Sequence, residues 1–266
     1  GDGVLRCALR DGHVPYPGGR SCWGGFVERA IVTDVWAEKR AAYNAFPHPQ
    51  QIVPPEIPVT DAVAMITLKE TLSCLENTEI PSGGSLAIVG TGPVGQALAY
   101  LAKLKGISPV VVFGRRPEWI DVFSDLGADG YVYDENPVPT VREILNKGGF
   151  DRVIEAVGTR EALSRCLDIV KPEGRINLYG VTAESEPYLP EQISDARVFR
   201  AKVAEAEAHD QILDWVVQGK LDLNDWTSHE LPWMDYERGF EMVASKKANK
   251  VVLTMNPPGR DATVAG

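Results

Sequence analysis

The chain has 266 residues, 44% of them hydrophobic and 24% charged, the composition of a globular protein with room for one large domain or two modest ones. Its 27 Lys and Arg against 37 Asp and Glu give a formal net charge of −10, and that acidity repels phosphate backbones and anionic lipids, which argues against nucleic acid or membrane partners. No apolar run reaches the ~20 residues of a membrane span, and the opening "GDGVLRCALR" lacks the apolar middle of a secretion signal, so the expected location is cytoplasmic.

In chain order, residues 1–54 are rich in Gly, Pro and aromatics and hold a strand-like run, "GGFVERAIVT" (24–33). They lead into "HPQQIVPPEIP", whose prolines read as an extended inter-domain linker. From Ser85 to about Lys202, short apolar strands alternate with helical patterns. The strands are "SLAIVG" (85–90), "PVVVFG" (109–114), "GYVYD" (130–134), "DRVIEAVG" (151–158) and "RINLYGV" (175–181), with a weaker sixth at "VFRAKV" (198–203). Continuous apolar character is what a parallel strand covered on both faces requires. After the first strand, Val94, Leu98, Leu101 and Leu104 fall on one helical stripe. A second helix closes at "DLGAD", where Gly127 suits the left-handed conformation, and a third, "REALSRCLDIVKPEG", presents Leu163, Cys166, Leu167 and Val170 before a Pro/Gly stop. From Leu221 onward come "SHELPW", an amphipathic helix around "DYERGFEMVAS" and a last strand, "KVVLTM". Repeated β-α-β units predict an α/β fold with a doubly wound parallel sheet over residues 55–220, and residues 1–54 and 221–266 read as pieces of a second, β-rich domain. Cys7, Cys22, Cys74 and Cys166 are scattered, with no C-x-x-C pair, and read as reduced, mostly buried thiols; no metal-ligand spacing is visible.

The run "GTGPVG", comprising Gly90, Thr91, Gly92, Pro93, Val94 and Gly95, fits G-x-G-x-x-G, with a strand before it, a helix after it and a second strand next. In that setting the first glycine allows the tight turn, the second lets backbone approach a pyrophosphate, and the third lets helix pack on strand. The helix start adds N–H donors and a partial positive charge. An NAD site usually places Asp or Glu at the end of the second strand, but here stand Gly114, Arg115 and Arg116. Guanidinium groups offer forked hydrogen bonds to the extra phosphate of NADP, so NADP is expected over NAD.

These segments, with "GADGYVYD", "FDRVIEAVG", "LDIVKPEGRINLYGV" and "GFEMVASKKANKVVL", resemble the zinc-type medium-chain alcohol and polyol dehydrogenases across about residues 20–255. "GRRP" is similar to the Gly-Ser/Thr-Arg-Pro of their NADP-linked secondary alcohol dehydrogenases. The resemblance implies a Rossmann domain joined to a partial GroES-like catalytic domain. It also implies an adenosine phosphate held by Gly114, Arg115 and Arg116, and a nicotinamide side lined by Ala156, Val157, Tyr179, Gly180 and Val181, with Lys250 reaching toward the phosphates. Two departures accompany it. The family's early zinc-ligand Cys and Gly-His-Glu segment are absent, so the chain reads as lacking its amino-terminal part. The zinc-ligand position on the helix before the first cofactor strand falls on Ile66, so zinc is left open and no metal ligand is assigned.

No catalytic residue is assigned. Lys69 and Glu70 read as a solvated helix face, with a polarising or proton-relay role as the alternative; His48 is a loop histidine of either kind. His13, His209 and His229 read as structural or surface residues, and Glu155 as either a ligand-edge carboxylate or a loop-fixing one. The expected activity is NADP-dependent hydride transfer between nicotinamide and a secondary alcohol, polyol or ketone. The alternatives are a zinc-free quinone or enoyl reductase and a non-catalytic NADP-binding sensor. A small-molecule substrate is expected, with a homodimer or homotetramer paired through "VFRAKV".

Overall fold

The structure, a computed structural model, describes residues 3–6, 50–133, 139–202 and 204–255. The run at 24–33, Cys7, Cys22, His13 and His48 lie outside the described residues. The chain divides into two compact units, Gly1–Ile66 with Glu205–Gly266, and Thr67–Ala204. The pattern of the sequence places the boundaries instead at 54/55 and 220/221.

In the first unit, β1 (Gly3–Arg6) pairs antiparallel with β2 (Gln50–Val53), from Gly3 opposite Val53 to Arg6 opposite Gln50. The stretch expected as an extended linker is therefore partly a strand, because its "QQIV" finds ladder partners before Pro54 and Pro55 remove two successive N–H donors. A short helix, α1 (Val59–Ala62), precedes α2 (Ala64–Glu76), which carries the chain into the second unit.

The second unit is a six-stranded sheet. Its strands are β3 (Leu86–Val89), β4 (Val110–Phe113), β5 (Gly130–Val132), β6 (Phe150–Glu155), β7 (Val170–Leu178) and β8 (Val198–Phe199). They lie in the order β5-β4-β3-β6-β7-β8, and every pair is parallel. This is the doubly wound order, reversing between β3 and β6. The crossovers use α3 (Pro93–Leu104), α4 (Ile120–Asp125), α5 (Pro139–Asn146), α6 (Arg160–Ile169) and α7 (Pro190–Ile193). All four residues of β3 and of β4 are buried, as strands covered on both faces must be. Ala87, Val89, Val111, Phe113 and Val153 join Val141 of α5 and Leu163, Cys166 and Ile169 of α6 in one core. On the opposite face Asn177 donates to Thr78 Oγ1 at 2.8 Å and to Cys74 Sγ at 3.3 Å, tying β7 to α2 and the residues just after it.

Three expectations change in this unit. The stripe of α3 centres on Gly95, Leu98, Leu101 and Ala102, with Val94 and Leu104 at its half-exposed margins. The third helix stops before Pro172 and Gly174 but already at Ile169, so Val170, expected on its face, opens β7; between Phe150 opposite Val170 and Arg152 opposite Arg175 one strand advances two residues while the other advances five. That bulge accommodates Pro172, which has no N–H for the ladder. "VFRAKV" forms only two ladder residues, because Ala201 N donates at 2.9 Å to the Asn177 side chain rather than to a strand, and Arg200 turns back to donate to Leu178 O at 3.1 Å.

The chain then returns to the first unit. There α8 (His209–Val217) precedes a parallel unit of β9 (His229–Pro232), α9 (Tyr236–Ala244) and β10 (Val251–Thr254). His209 is a buried structural histidine whose Nε2 lies 3.1 Å from Ile52 O, and Gln51 Nε2 donates to Ala206 O at 2.7 Å; these contacts hold 205–209 with β2. Cys74 and Cys166 are free and buried. Burial pushes the Cys74 thiol up to about 12 despite a hydrogen bond from Asn177, so it stays protonated and unreactive. No described helix is long and apolar enough to cross a membrane.

Candidate dinucleotide site

The sheet reverses between β3 and β6, and loops leaving the carboxyl ends of those two strands must part to opposite faces, which opens a crevice. Gly90, directly after β3, has φ +136° and its N–H donates to Phe113 O at 3.0 Å. A Cβ there would stand 3.0 Å from Ala156 O and 3.1 Å from Val157 Cγ2, so the loops after β3 and β6 already touch. A Cβ on Gly95 would collide with the Gly90 carbonyl oxygen; only glycine lets α3 begin this close to the strand. Gly92 is different. It is the N-cap of α3, has ordinary extended geometry, φ −72° and ψ −178°, supplies no side-chain cap, and would leave a Cβ in open space. The first turn of α3, with Pro93 at its start, therefore presents its positive end with open space beside Gly92.

Beside this turn, the end of β4 is set by Tyr131. A Cβ on Gly114 would collide with the Tyr131 hydroxyl and lie 2.7 Å from Thr91 Cγ2, and that hydroxyl donates to Arg116 O at 2.8 Å. Burial raises the Tyr131 hydroxyl above its ordinary value, which keeps it a donor. Arg115 and Arg116 are exposed. The Arg116 guanidinium lies 5.5 Å over the Trp119 ring and 3.4 Å from Glu118 Oε1, half open to solvent. The sequence-predicted residues Gly90, Thr91, Gly92, Pro93, Val94, Gly95, Gly114, Arg115 and Arg116 thus form one continuous rim.

Across the reversal, Glu155 at the end of β6 is fully buried. Its Oε1 accepts from Val157 N at 2.9 Å and Gly158 N at 2.8 Å, its Oε2 accepts from the Tyr188 hydroxyl, and its carbonyl accepts from Tyr179 N and Gly180 N. Burial and the bond to Glu155 push the Tyr188 hydroxyl far above its ordinary range, so it stays protonated and donating. A Cβ on Gly180 would collide with Glu155 Oε2 and Gly158 N, and one on Gly158 with Val181 O. Ala156, Val157, Tyr179, Gly180 and Val181 are therefore brought together, with Val157 and Val181 exposed at 45% and 83%. Lys250 lies in the other unit, immediately before β10, where its carbonyl accepts from Ser228 N and His229 N.

Tyr188 carries no sequence signal beyond an aromatic between two prolines in "EPYLP". Lys69 reverses an expectation: it is 3% exposed, because α2 is covered by the sheet and the chain after β8, as the bond from Ala204 N to Ser73 Oγ at 2.7 Å shows. Glu70 is half-buried.

The residues present fit a dinucleotide: Gly92 is open, the start of α3 has no side-chain cap, and exposed Arg115 and Arg116 follow the neighbouring strand. The described residues do not fit a catalytic zinc. No three His, Cys, Asp or Glu among them are placed to share a metal, and Ile66, 41% exposed, offers no donor atom.

Residues 93–206 match the family model described as zinc-binding dehydrogenase. Among curated proteins the chain is 28% identical over 249 residues to L-threonine 3-dehydrogenase of Pyrococcus abyssi, covering 87% of this chain and 65% of that one. It is 24% identical over 220 residues to erythritol/L-threitol dehydrogenase of Mycolicibacterium smegmatis, covering 80% and 61%. Among solved structures, alcohol dehydrogenase TADH from Thermus sp. ATN1 superposes with a TM-score of 0.64 at 31% identity, over 78% of this chain and 61% of that one. The chain thus spans just under two thirds of the length of these relatives. Through its doubly wound domain, the chain is similar to zinc-type medium-chain dehydrogenases, and residues 93–206 match their family model.

Proposed function

We propose that this chain is the nucleotide-binding part, with a portion of the catalytic domain, of an NADP-dependent oxidoreductase acting on a secondary alcohol or polyol, or on the corresponding ketone. The observation that carries the cofactor choice is the end of β4, where Gly114, Arg115 and Arg116 occupy the place of a ribose-binding carboxylate. The start of α3 receives the pyrophosphate, and Arg115 and Arg116 pair with the adenosine phosphate. Stacking on Trp119 holds the Arg116 fork flat, and Glu118 gives it up to a stronger anionic partner. The remaining half of the dinucleotide lies over the loops after β6 and β7, where exposed Val157 and Val181 offer an apolar bed for the nicotinamide. Bound there, the cofactor supplies a carbon that takes or gives a hydride. The names of the relatives, which describe threonine and a four-carbon polyol, support a small hydroxylated substrate.

Flanking residues 1–54 and 221–266 are proposed to contribute to a GroES-like catalytic domain, and Lys250 to reach the phosphates. Assembly as a homodimer or homotetramer is proposed as well, and light scattering of the purified chain tests it. The cofactor reading is tested by titrating NADPH and NADH into the parent protein and Arg116→Asp. NADPH should bind more tightly than NADH in the parent, and the substitution should weaken NADPH roughly tenfold while sparing NADH. Equal affinities in the parent would remove the basis for NADP.

A second reading, a zinc-free quinone or enoyl reductase, is favoured by Ile66 alone. Stoichiometric zinc in the purified protein contradicts it; turnover of quinones or enones without zinc supports it.

A further inference from the structure

We infer that Glu155 is a positioning residue for the nicotinamide half of the dinucleotide, fixing the two loops over which that half lies. The inference rests on the dinucleotide reading above. A fully buried carboxylate costs several kcal/mol unless its lone pairs are satisfied, and the residues just before it in β6, Val153 and Ile154, are fully buried and apolar. A leucine at this place would serve the core at least as well. What it could not do is hold Val157 N, Gly158 N and the Tyr188 hydroxyl at once.

Those three donors come from two different segments. Val157 and Gly158 belong to the loop after β6, and Tyr188 to the chain beyond β7, where its hydroxyl also lies 3.4 Å from Gly180 O. Gly180 N reaches back to Glu155 O at 2.8 Å, and Arg200 donates to Leu178 O at 3.1 Å, so the start of the loop after β7 is held by two further bonds. The two loops are packed backbone to backbone at Gly158 and Gly180 with no space for a Cβ. Val157 and Val181, the apolar pair left open to solvent, are thus tied together through Glu155, whose carboxylate holds the first loop and Tyr188 and whose carbonyl holds the second. Glu155 has no exposed surface and does not touch the crevice, so it acts through the loops and takes no part in chemistry.

The test separates the two halves of the ligand. Parent protein, Tyr188→Phe and Glu155→Gln are titrated with NADPH and with 2′,5′-ADP, which carries the adenosine phosphate and no nicotinamide. Each substitution removes or weakens a charge-assisted bond, and NADPH affinity should fall roughly tenfold while 2′,5′-ADP changes by less than about twofold. Parallel weakening of both ligands, or an unchanged NADPH affinity, overturns the inference. A parent that binds neither ligand sinks the dinucleotide reading first and the inference with it. Should Glu155→Gln fail to fold, Tyr188→Phe, which deletes a single hydroxyl, decides alone.

Discussion

The two halves of the crevice hold their loops in opposite ways. Around β3 and β4 the backbone is shaped by missing side chains: Gly95 lets α3 start against the Gly90 carbonyl, and Gly114 makes room for the Tyr131 hydroxyl. Around β6 and β7 it is shaped by a side chain that is present, the buried Glu155, which gathers donors from 2 to 33 residues away. A glycine turn is specified within six residues, whereas a carboxylate hub exists only once distant segments have come together. The first half is local and open to solvent at its cationic rim; the second is long-range and sealed.

The sharpest way to break the first half is Gly95→Ala. Its new methyl meets backbone that cannot rotate away, so unfolding free energy should fall by about 3 kcal/mol, visible as a lower melting temperature together with lost NADPH binding. On the other half, Gly180→Ala forces the Glu155 carboxylate from its donors, and about 2 kcal/mol is expected. If its loss is no larger than that of Gly92→Ala, whose methyl would meet open space at an ordinary φ, Glu155 is not confined as described.

A smaller effect marks the opposite edge of the same sheet. Burial pushes the Asp151 carboxyl up, but hydrogen bonds from Lys171, Ser85 N and the Ser85 hydroxyl, with the Lys171 charge, outweigh it, and the carboxyl lies below its ordinary value. A carboxylate with a depressed folded value contributes fully above its unfolded value, about 3.9, and that contribution is lost as pH falls through the folded value. Asp151→Asn should therefore cost about 1 kcal/mol at pH 7 and flatten the acid limb below about pH 4. Urea melts between pH 7 and 3 check both. Equal pH slopes in parent and variant would contradict the assignment.

Gly92→Ala should have the smallest effect on stability, within about 0.5 kcal/mol, because its geometry is ordinary and its surroundings are open. It should still weaken NADPH, since the methyl enters the space proposed for the pyrophosphate. A variant that loses no NADPH affinity would show that the phosphates lie elsewhere.

Legibility in the sequence followed the same division. "SLAIVGTGPVG" could be read directly, since turn, helix start and strand burial each depend on residues a few positions apart. The burial of Lys69 could not: charge on a helix usually marks the solvated face, and only the packing of α2 between the sheet and the chain after β8 reverses that. The sixth strand was overestimated for a similar reason. Its β-forming residues continue to Val203, but the donor of Ala201 is taken by Asn177 from a strand more than twenty residues earlier.

Order along the chain was enough to determine alternating strands and helices, a parallel sheet covered on both faces, a glycine turn into the start of α3 and a cationic end to β4. Those features arise from periodicity, glycine sterics and charge, which act over one or two turns of chain. Tertiary structure alone decided that Glu155 would be sealed under two loops with Tyr188 as its partner, that Lys69 would lie inside, and that the edge strand would stop after two residues. Each of these depends on which distant donor or apolar surface arrives beside a side chain, and that is settled when the sheet closes.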